Sequence, residues 1–454
     1  MRSKFLIGGL CLLATGVASA ATRYAAPAGA GTACTQSVPC SLNEAVNGSS
    51  AACGDTVSAL NGTYNLATSV EVTRNCPTTN RFTIQAANPQ QAVLNINTPN
   101  GAFFVRTAAG SITIKDFKVV SGASSVASIR SYLGASNLQF IGLELDTVTF
   151  GLSIAGGSNQ LISGVTAYHH NPDSYPGNND GTACFSIGWD GVATSAVTIQ
   201  NSVCKDIWLF GNQKNVTNLT IQDNLLQNVH DHGVSLYDCT QVVLQRNRYV
   251  VTRTNMPGTW AGSFYDSYCS TDVNVRNNSI YLHNVQVAGM NLMPNQAQQC
   301  SDGAGANNSG NARHRWSNNI ISTAWQHGLA GGGSCIPGQS CVNDSYNIYH
   351  APGDDVALWS GVPYVTLAAW QLVDPDLDGV LQGRFSLATD PMFTNANAGD
   401  LTLRQGSPAI DAGDNANCAL TIVNGRCDMG AFEYAASSAI APSTVTNLFR
   451  TDAR

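Results

Sequence analysis

Four side chains in this 454-residue sequence combine types and spacing suited to moving protons beside a negatively charged group: Lys205, His230, His232 and Arg253. β-Elimination of a uronate sugar needs a base for the proton α to the carboxylate. It also needs a cation to hold that carboxylate as charge moves onto it, and an acid at the leaving oxygen. His230, His232, Lys205 or Tyr237 are the candidate proton carriers, and Arg253 is the candidate carboxylate partner. Trp208, Trp325, Tyr237, His169 and His170 offer ring faces and polar edges to sugar residues. Charge supports the same region. Between Val119 and Cys204 the only basic residue is Arg130, whereas Lys205, Lys214, Arg246, Arg248, Arg253 and Arg276 follow closely. A local basic area in an acidic chain can focus an anionic polymer. A weaker signal is DPDLDG, which places Asp374, Asp376 and Asp378 at calcium-loop positions before Gly379. Phe385 stands where a closing Glu belongs. Calcium is the only cofactor the sequence suggests.

These residues are positioned by a recurring phrase. An apolar/polar alternation ends in Asn or Asp and restarts with an aliphatic residue: TIQNSV, TIQDNLL, VLQRNRYV, VNVRNNSI and HRWSNNII. Period-2 alternation is the strand signature, and self-similarity at a short fixed step is that of a solenoid. Aligning the phrases on Ser202, Asn224, Asn247, Asn278 and Asn319 predicts one strand per coil, stacked in register. At an offset of six the alignment stacks Trp208, His230, Arg253, Asn284 and Trp325. At an offset of eight it stacks Phe210, His232, Asn255, Gln286 and His327. Columns mixing Trp, His and Arg are expected to face outward, because a β-helix core is aliphatic. Long insertions follow Tyr168, Arg253 and Asn284, all near one corner of the coil, where they would wall that face.

Composition fits such a solenoid. Only 11% of residues are charged, well under the roughly 25% of ordinary soluble domains. Residues 1–20 read as a secretory signal, with Arg2 and Lys4, an apolar run and ASA before Ala21. Its apolar run is too short to span a bilayer, so export without membrane insertion is expected. Without it, 20 basic side chains face 29 acidic ones, a balance that disfavours nucleic acid. Thirteen cysteines remain in an exported chain, where disulfides persist. The expected local pairs are Cys34–Cys40, Cys53–Cys76, Cys184–Cys204, Cys239–Cys269, Cys335–Cys341 and Cys418–Cys427, leaving Cys300 over.

Both ends carry a resemblance. RYAAP, a Cys-closed loop, a short helix around Ser41 to Val46, a Gly54-Asp55 turn and NGTY resemble the entry cap of secreted right-handed parallel β-helix proteins. DPMFTNANAGDLTLRQGSPAIDAGD and CDMGAFEY resemble the closing segment of secreted bacterial proteins of that kind. The architecture is shared by many polysaccharide lyases of the pectate-lyase-like type. The resemblance implies an all-β right-handed parallel β-helix with an N-terminal helical cap. The expected divisions are a signal over 1–20, cap and first coil over 21–80, β-helix over 81–350, closing segment over 351–434 and a tail or linker remnant over 435–454. The functional expectation is a secreted, monomeric polysaccharide-active enzyme performing β-elimination on a uronate-containing glycan. A glycoside hydrolase on the same fold and a non-catalytic glycan-binding or adhesion β-helix are the alternatives.

Overall fold

The computed structural model describes residues 20–106, 109–169, 182–189, 192–229, 231–252, 263–282, 290–292, 310–323, 327–331, 336, 339–352, 355–374, 381–423 and 425–435. Short strands wind repeatedly through three long sheets of 12, 11 and 10 strands, called A, B and C here. Each strand pairs in parallel with its counterpart one coil away, except the antiparallel closing strand Val362–Tyr364 of sheet C. This is a right-handed parallel β-helix. The aligned phrases fall on successive strands of sheet A: Thr194–Gln200, Val216–Gln222, Thr240–Gln245, Thr271–Arg276 and His314–Ser317. Their alternating burial follows from period 2, with Val197, Ile199, Leu219, Ile221, Val242 and Leu244 filling the interior.

The aligned residue is what fixes the register. Fully buried asparagines stack at the corner between sheets A and B, where the Nδ2 group of each donates to Oδ1 of the next. These bonds run Asn224 to Asn247 (3.0 Å), Asn247 to Asn278 (3.0 Å), Asn278 to Asn319 (2.9 Å) and Asn319 to Asn347 (3.0 Å). Each Oδ1 also accepts the backbone N–H of the residue one coil back, as Asn278 does from Asn247 at 2.9 Å. A corner must leave strand pairing, so its buried backbone groups need other partners. The amide ladder provides them.

The first coil is closed by the helix Leu42–Asn47, capped by Ser41, whose hydroxyl accepts from the Glu44 N–H at 3.2 Å. It buries Leu42, Ala45 and Val46 over the open apolar end, and Arg23 Nε donates to the Ala45 carbonyl at 2.8 Å. At the other end the chain after residue 390 folds back along sheet B. Phe393, Leu401, Leu403, Ala409 and Met429 pack on the outer side chains Val250, Tyr281, Ile320 and Ile348. Arg246 joins this segment to the coils through Asp223 (2.6 Å) and the Ala419 carbonyl (2.8 Å).

Disulfides join Cys34 to Cys40, Cys53 to Cys76, Cys184 to Cys204 and Cys418 to Cys427, as the spacing predicts. Such bonds persist in oxidising compartments. The expected Cys239–Cys269 pair does not form. Cys269 is disulfide-bonded elsewhere, and Cys239 is a buried free thiol. Cys239 faces the coil interior, within 3.5 Å of the Gln213 carbonyl, whereas nearness in sequence had suggested a loop bridge. Cys341 is also disulfide-bonded; Cys335 and Cys300 lie outside the described residues. Among the described residues no helix is long and apolar enough to cross a membrane.

Candidate functional site

The coils differ in length at the corner from sheet B to sheet C. Sheet B strands begin one residue after each aligned position, at Val203, Leu225, Arg248 and Ser279. The equivalent sheet C position comes nine residues after Ser202, ten after Asn224 and eighteen after Asn247, at Gly211, Val234 and Tyr265. The insertions after Tyr168 and Arg253 leave between a sheet B strand and the next sheet C strand, but the one after Asn284 runs through the sheet C strand Met290–Leu292, so most of its length lies between sheet C and the sheet A strand His314–Ser317 and the three do not share one corner. The offset columns therefore do not continue past this corner. Phe210 pairs level with Gly233 rather than His232, and its ring is buried 5.2 Å from Phe185, so the offset-eight column is not uniformly outward.

On the outer face of sheet C, Ser235 and Asp266 stack above Asn212 in register. Asp266 is fully buried, yet its carboxylate has two close partners. One oxygen accepts from the Ser263 hydroxyl and the other pairs with Nδ1 of His232. Nε2 of His232 lies 3.4 Å from Oδ1 of Asp231. Burial works to lower the His232 pKa. The charge and hydrogen bond of Asp266, aided by Asp231, outweigh it and raise the value to about 9. His232 is thus a cation at neutral pH, held by a buried carboxylate, with one-fifth of its side chain exposed. Asp231 is shifted upward, first by burial, with the charge of Asp266 adding and His232 and a hydrogen bond from Trp208 opposing. The Asp231 N–H also donates to the Trp208 carbonyl at 2.9 Å, so Trp208 brackets this acid.

An aromatic row adjoins the cluster. Tyr237 and Tyr268 are register partners and stack with ring centres 4.6 Å apart and planes at 4°. Trp189, 40% exposed, meets the Tyr237 ring edge-on at 5.2 Å. Lys214, the register partner of Tyr237 on the preceding coil, lies over Trp189 at 5.2 Å. Burial, then the charges of Asp266 and Asp231, push the Tyr237 phenol well above its usual range. It remains a proton donor across the working pH range of a protein.

Of the sequence candidates, the structure brings His232, Trp208 and Tyr237 to this face. Lys205 belongs to a different cluster on the outer face of sheet B, with its ammonium 5.1 Å from the centre of the Tyr168 ring. Tyr168 donates to Glu144 at 2.8 Å, and Lys118 pairs with the same oxygen at 2.7 Å. Burial works to raise Glu144, but the bonds from Lys118 and Tyr168 hold its pKa below the ordinary carboxylate range. His169 ends the strand Thr166–His169, half-buried and level with Thr147. His170, His230, Arg253, Trp325, Asp376 and Asp378 lie outside the described residues, and Asp374 is half-buried.

The sequence reading missed Asp231, Asp266, Ser263, Tyr268 and Trp189. Asp231 stands inside the quoted HDHG phrase, and YDSY carries Asp266 between the two tyrosines. A charged residue flanked by aromatics in a strand was the available signal. One further cluster, Cys418, Cys427 and Glu433, has metal-ligand composition, but its two sulfurs are joined to each other.

No protein-family model matches the chain, and no curated protein is similar to it in sequence. Among solved structures it is similar to pectate lyase Pel9A at 15% identity, covering 92% of this chain and 97% of that one, with a TM-score of 0.42. It is similar to an alginate lyase from Paenibacillus sp. str. FPU-7 at 14% identity, covering 76% and 97%, TM-score 0.45. It is also similar to PfbA, a surface adhesin of Streptococcus pneumoniae, at 12% identity, covering 67% and 80%, TM-score 0.41. The fold assignment rests on the strand pairing of the chain itself.

Proposed function

We propose that the protein is an exported polysaccharide-active enzyme that cleaves a uronate-containing glycan by β-elimination on the outer face of sheet C. The observation that carries this reading is the cationic His232, backed by buried Asp266, beside the Trp189–Tyr237–Tyr268 row. The rings support sugar residues by stacking. The His232 imidazolium faces the substrate carboxylate and takes up charge as the α-proton leaves. Asp231, its affinity for protons raised by burial, accepts that proton. The electrons of the broken C–H bond form a carbon–carbon double bond as the C–O bond to the leaving sugar breaks, and Tyr237 protonates the departing oxygen. His230 and Arg253, which lie outside the described residues, are kept as the further candidate proton carrier and carboxylate partner on residue type alone. Residues 1–20 serve as the export signal.

A hydrolase needs two carboxyl groups facing the sugar, and Asp266 is fully buried beneath His232, so this cluster offers only Asp231. Incubation with a panel of polyuronates tests the proposal. A product absorbing in the ultraviolet, from the new double bond, is expected. Reducing ends without absorbance would instead mean hydrolysis, and retention without turnover a binding protein.

A further inference from the structure

Across the solenoid from sheet C, at the corner between sheets A and B, one residue per coil takes the left-handed conformation just before the amide ladder. Most are short and polar: Asn201, Asp223, Asn277 and Asn318, with φ of 50°, 58°, 50° and 58°. Such residues tolerate this region, whereas a bulky side chain there is an outlier. The last two coils nevertheless place aromatics at this position, Tyr346 (φ 55°) and Phe385 (φ 59°). Their rings stack at 4.8 Å, and Phe385 is 59% exposed. Arg246 (φ 54°) holds the same position in its coil, so the conformation is not peculiar to the last two coils; what sets them apart is what the rings hold.

They hold two guanidinium groups. Arg426 lies over Tyr346 and Arg384 over Phe385, each 5.6 Å from the ring centre. Arg426 is fixed further by donating from Nε to the Gly413 carbonyl at 2.8 Å. Both arginines are exposed, and among the described residues neither has a carboxylate partner. A guanidinium laid on a ring keeps its edge donors free, in the planar fork that matches a carboxylate.

We propose that Arg384 and Arg426, mounted on Tyr346 and Phe385, form a second glycan site, non-catalytic, that binds carboxylates of an acidic polysaccharide away from the reaction face. The inference rests on the polysaccharide reading for the kind of ligand, though not for the place. It gives the enzyme an anchor on the polymer while sheet C engages another stretch or chain.

The test is equilibrium binding of the full chain to immobilised polygalacturonate, heparin and a neutral cellulose ether. Turnover of short soluble uronate oligosaccharides is measured in parallel. R384A/R426A should bind polygalacturonate about tenfold more weakly, the scale of losing charge-assisted hydrogen bonds. R384K/R426K should lose nearly as much, because lysine keeps the charge without the fork. Binding to the neutral polymer and turnover of short oligosaccharides should not change. Undiminished polygalacturonate binding by the double variants, an equal loss on the neutral polymer, or a loss confined to the sulfated polymer would each overturn the assignment. A protein that turns over nothing but shows the expected binding loss would refute the enzymatic reading and leave this site standing.

Discussion

Two histidines show how much the surroundings of one side chain decide. His314 lies in the core, where Nδ1 accepts from the Tyr265 hydroxyl at 2.8 Å and Nε2 donates to the Ser270 carbonyl at 2.9 Å. Burial, with no carboxylate in contact, lowers its pKa to about 4. The unfolded chain therefore binds a proton that the folded one refuses between about pH 6.5 and 4. The stability this neutral His314 contributes is present above 6.5 and lost on acidification, on the order of 3 kcal/mol by pH 4. His232 has the opposite sign. Its folded value near 9 means that the stability of the Asp266 pair is fully present below pH 6.5 and is lost as pH rises through 9. Thermal unfolding temperatures of the wild type should fall on both sides of neutrality. H232Q should remove the alkaline fall and leave the acid one. An alkaline fall that persists in H232Q would contradict the assignment of His232 as the cation.

At the scale of elements, the ladder explains what the sequence disclosed. Ser202, Asn224, Asn247, Asn278 and Asn319 aligned correctly because the buried corner residue of each coil must meet the one above it, through side-chain amides from Asn224 onward, and sheet B strands start at a fixed step beyond. Past sheet B the coils differ in length, reaching the equivalent sheet C position nine, ten and eighteen residues after Ser202, Asn224 and Asn247. The count of residues lost its meaning at that corner, and so Lys205 proved to sit with Tyr168 and Glu144 rather than with His232. Asp266 was illegible for a related reason. Its partners, His232 and Ser263, are brought near only by the fold. N278A should test the ladder. It removes the acceptor for the Asn247 N–H and the donors to Leu244 and Asn319. A loss of about 2–4 kcal/mol in urea denaturation is expected, the scale of leaving buried groups unpaired, and a loss under 0.5 kcal/mol would deny the ladder that role. Cys239, its thiol pushed up to about 12 by burial, should resist alkylation in the native protein and react once the chain is unfolded. Labelling of the native protein would place it elsewhere.

For the molecule as a whole, the C-terminal segment decides which face is free. It covers Val250, Tyr281, Ile320 and Ile348, so over those coils the outer face of sheet B is closed to a ligand. Ending the chain at residue 389 should expose that apolar strip and give aggregates in size-exclusion chromatography; a monodisperse truncated protein would show the segment to be dispensable. The surface that the C-terminal segment covers was not legible in the sequence, because Val250, Tyr281, Ile320 and Ile348 meet it only in the fold. The central claim is that polyuronate cleavage depends on the imidazolium that Asp266 holds on sheet C. Its most direct test is the initial rate of unsaturated-product formation by D266N and H232Q on the best polyuronate, with native unfolding cooperativity as the control for folding. Losses on the order of 100-fold or more are predicted for H232Q, the scale of removing a proton-transferring or charge-stabilising group, and D266N should shift the alkaline limb of the rate profile toward neutral pH. Wild-type rates in both folded variants would contradict it.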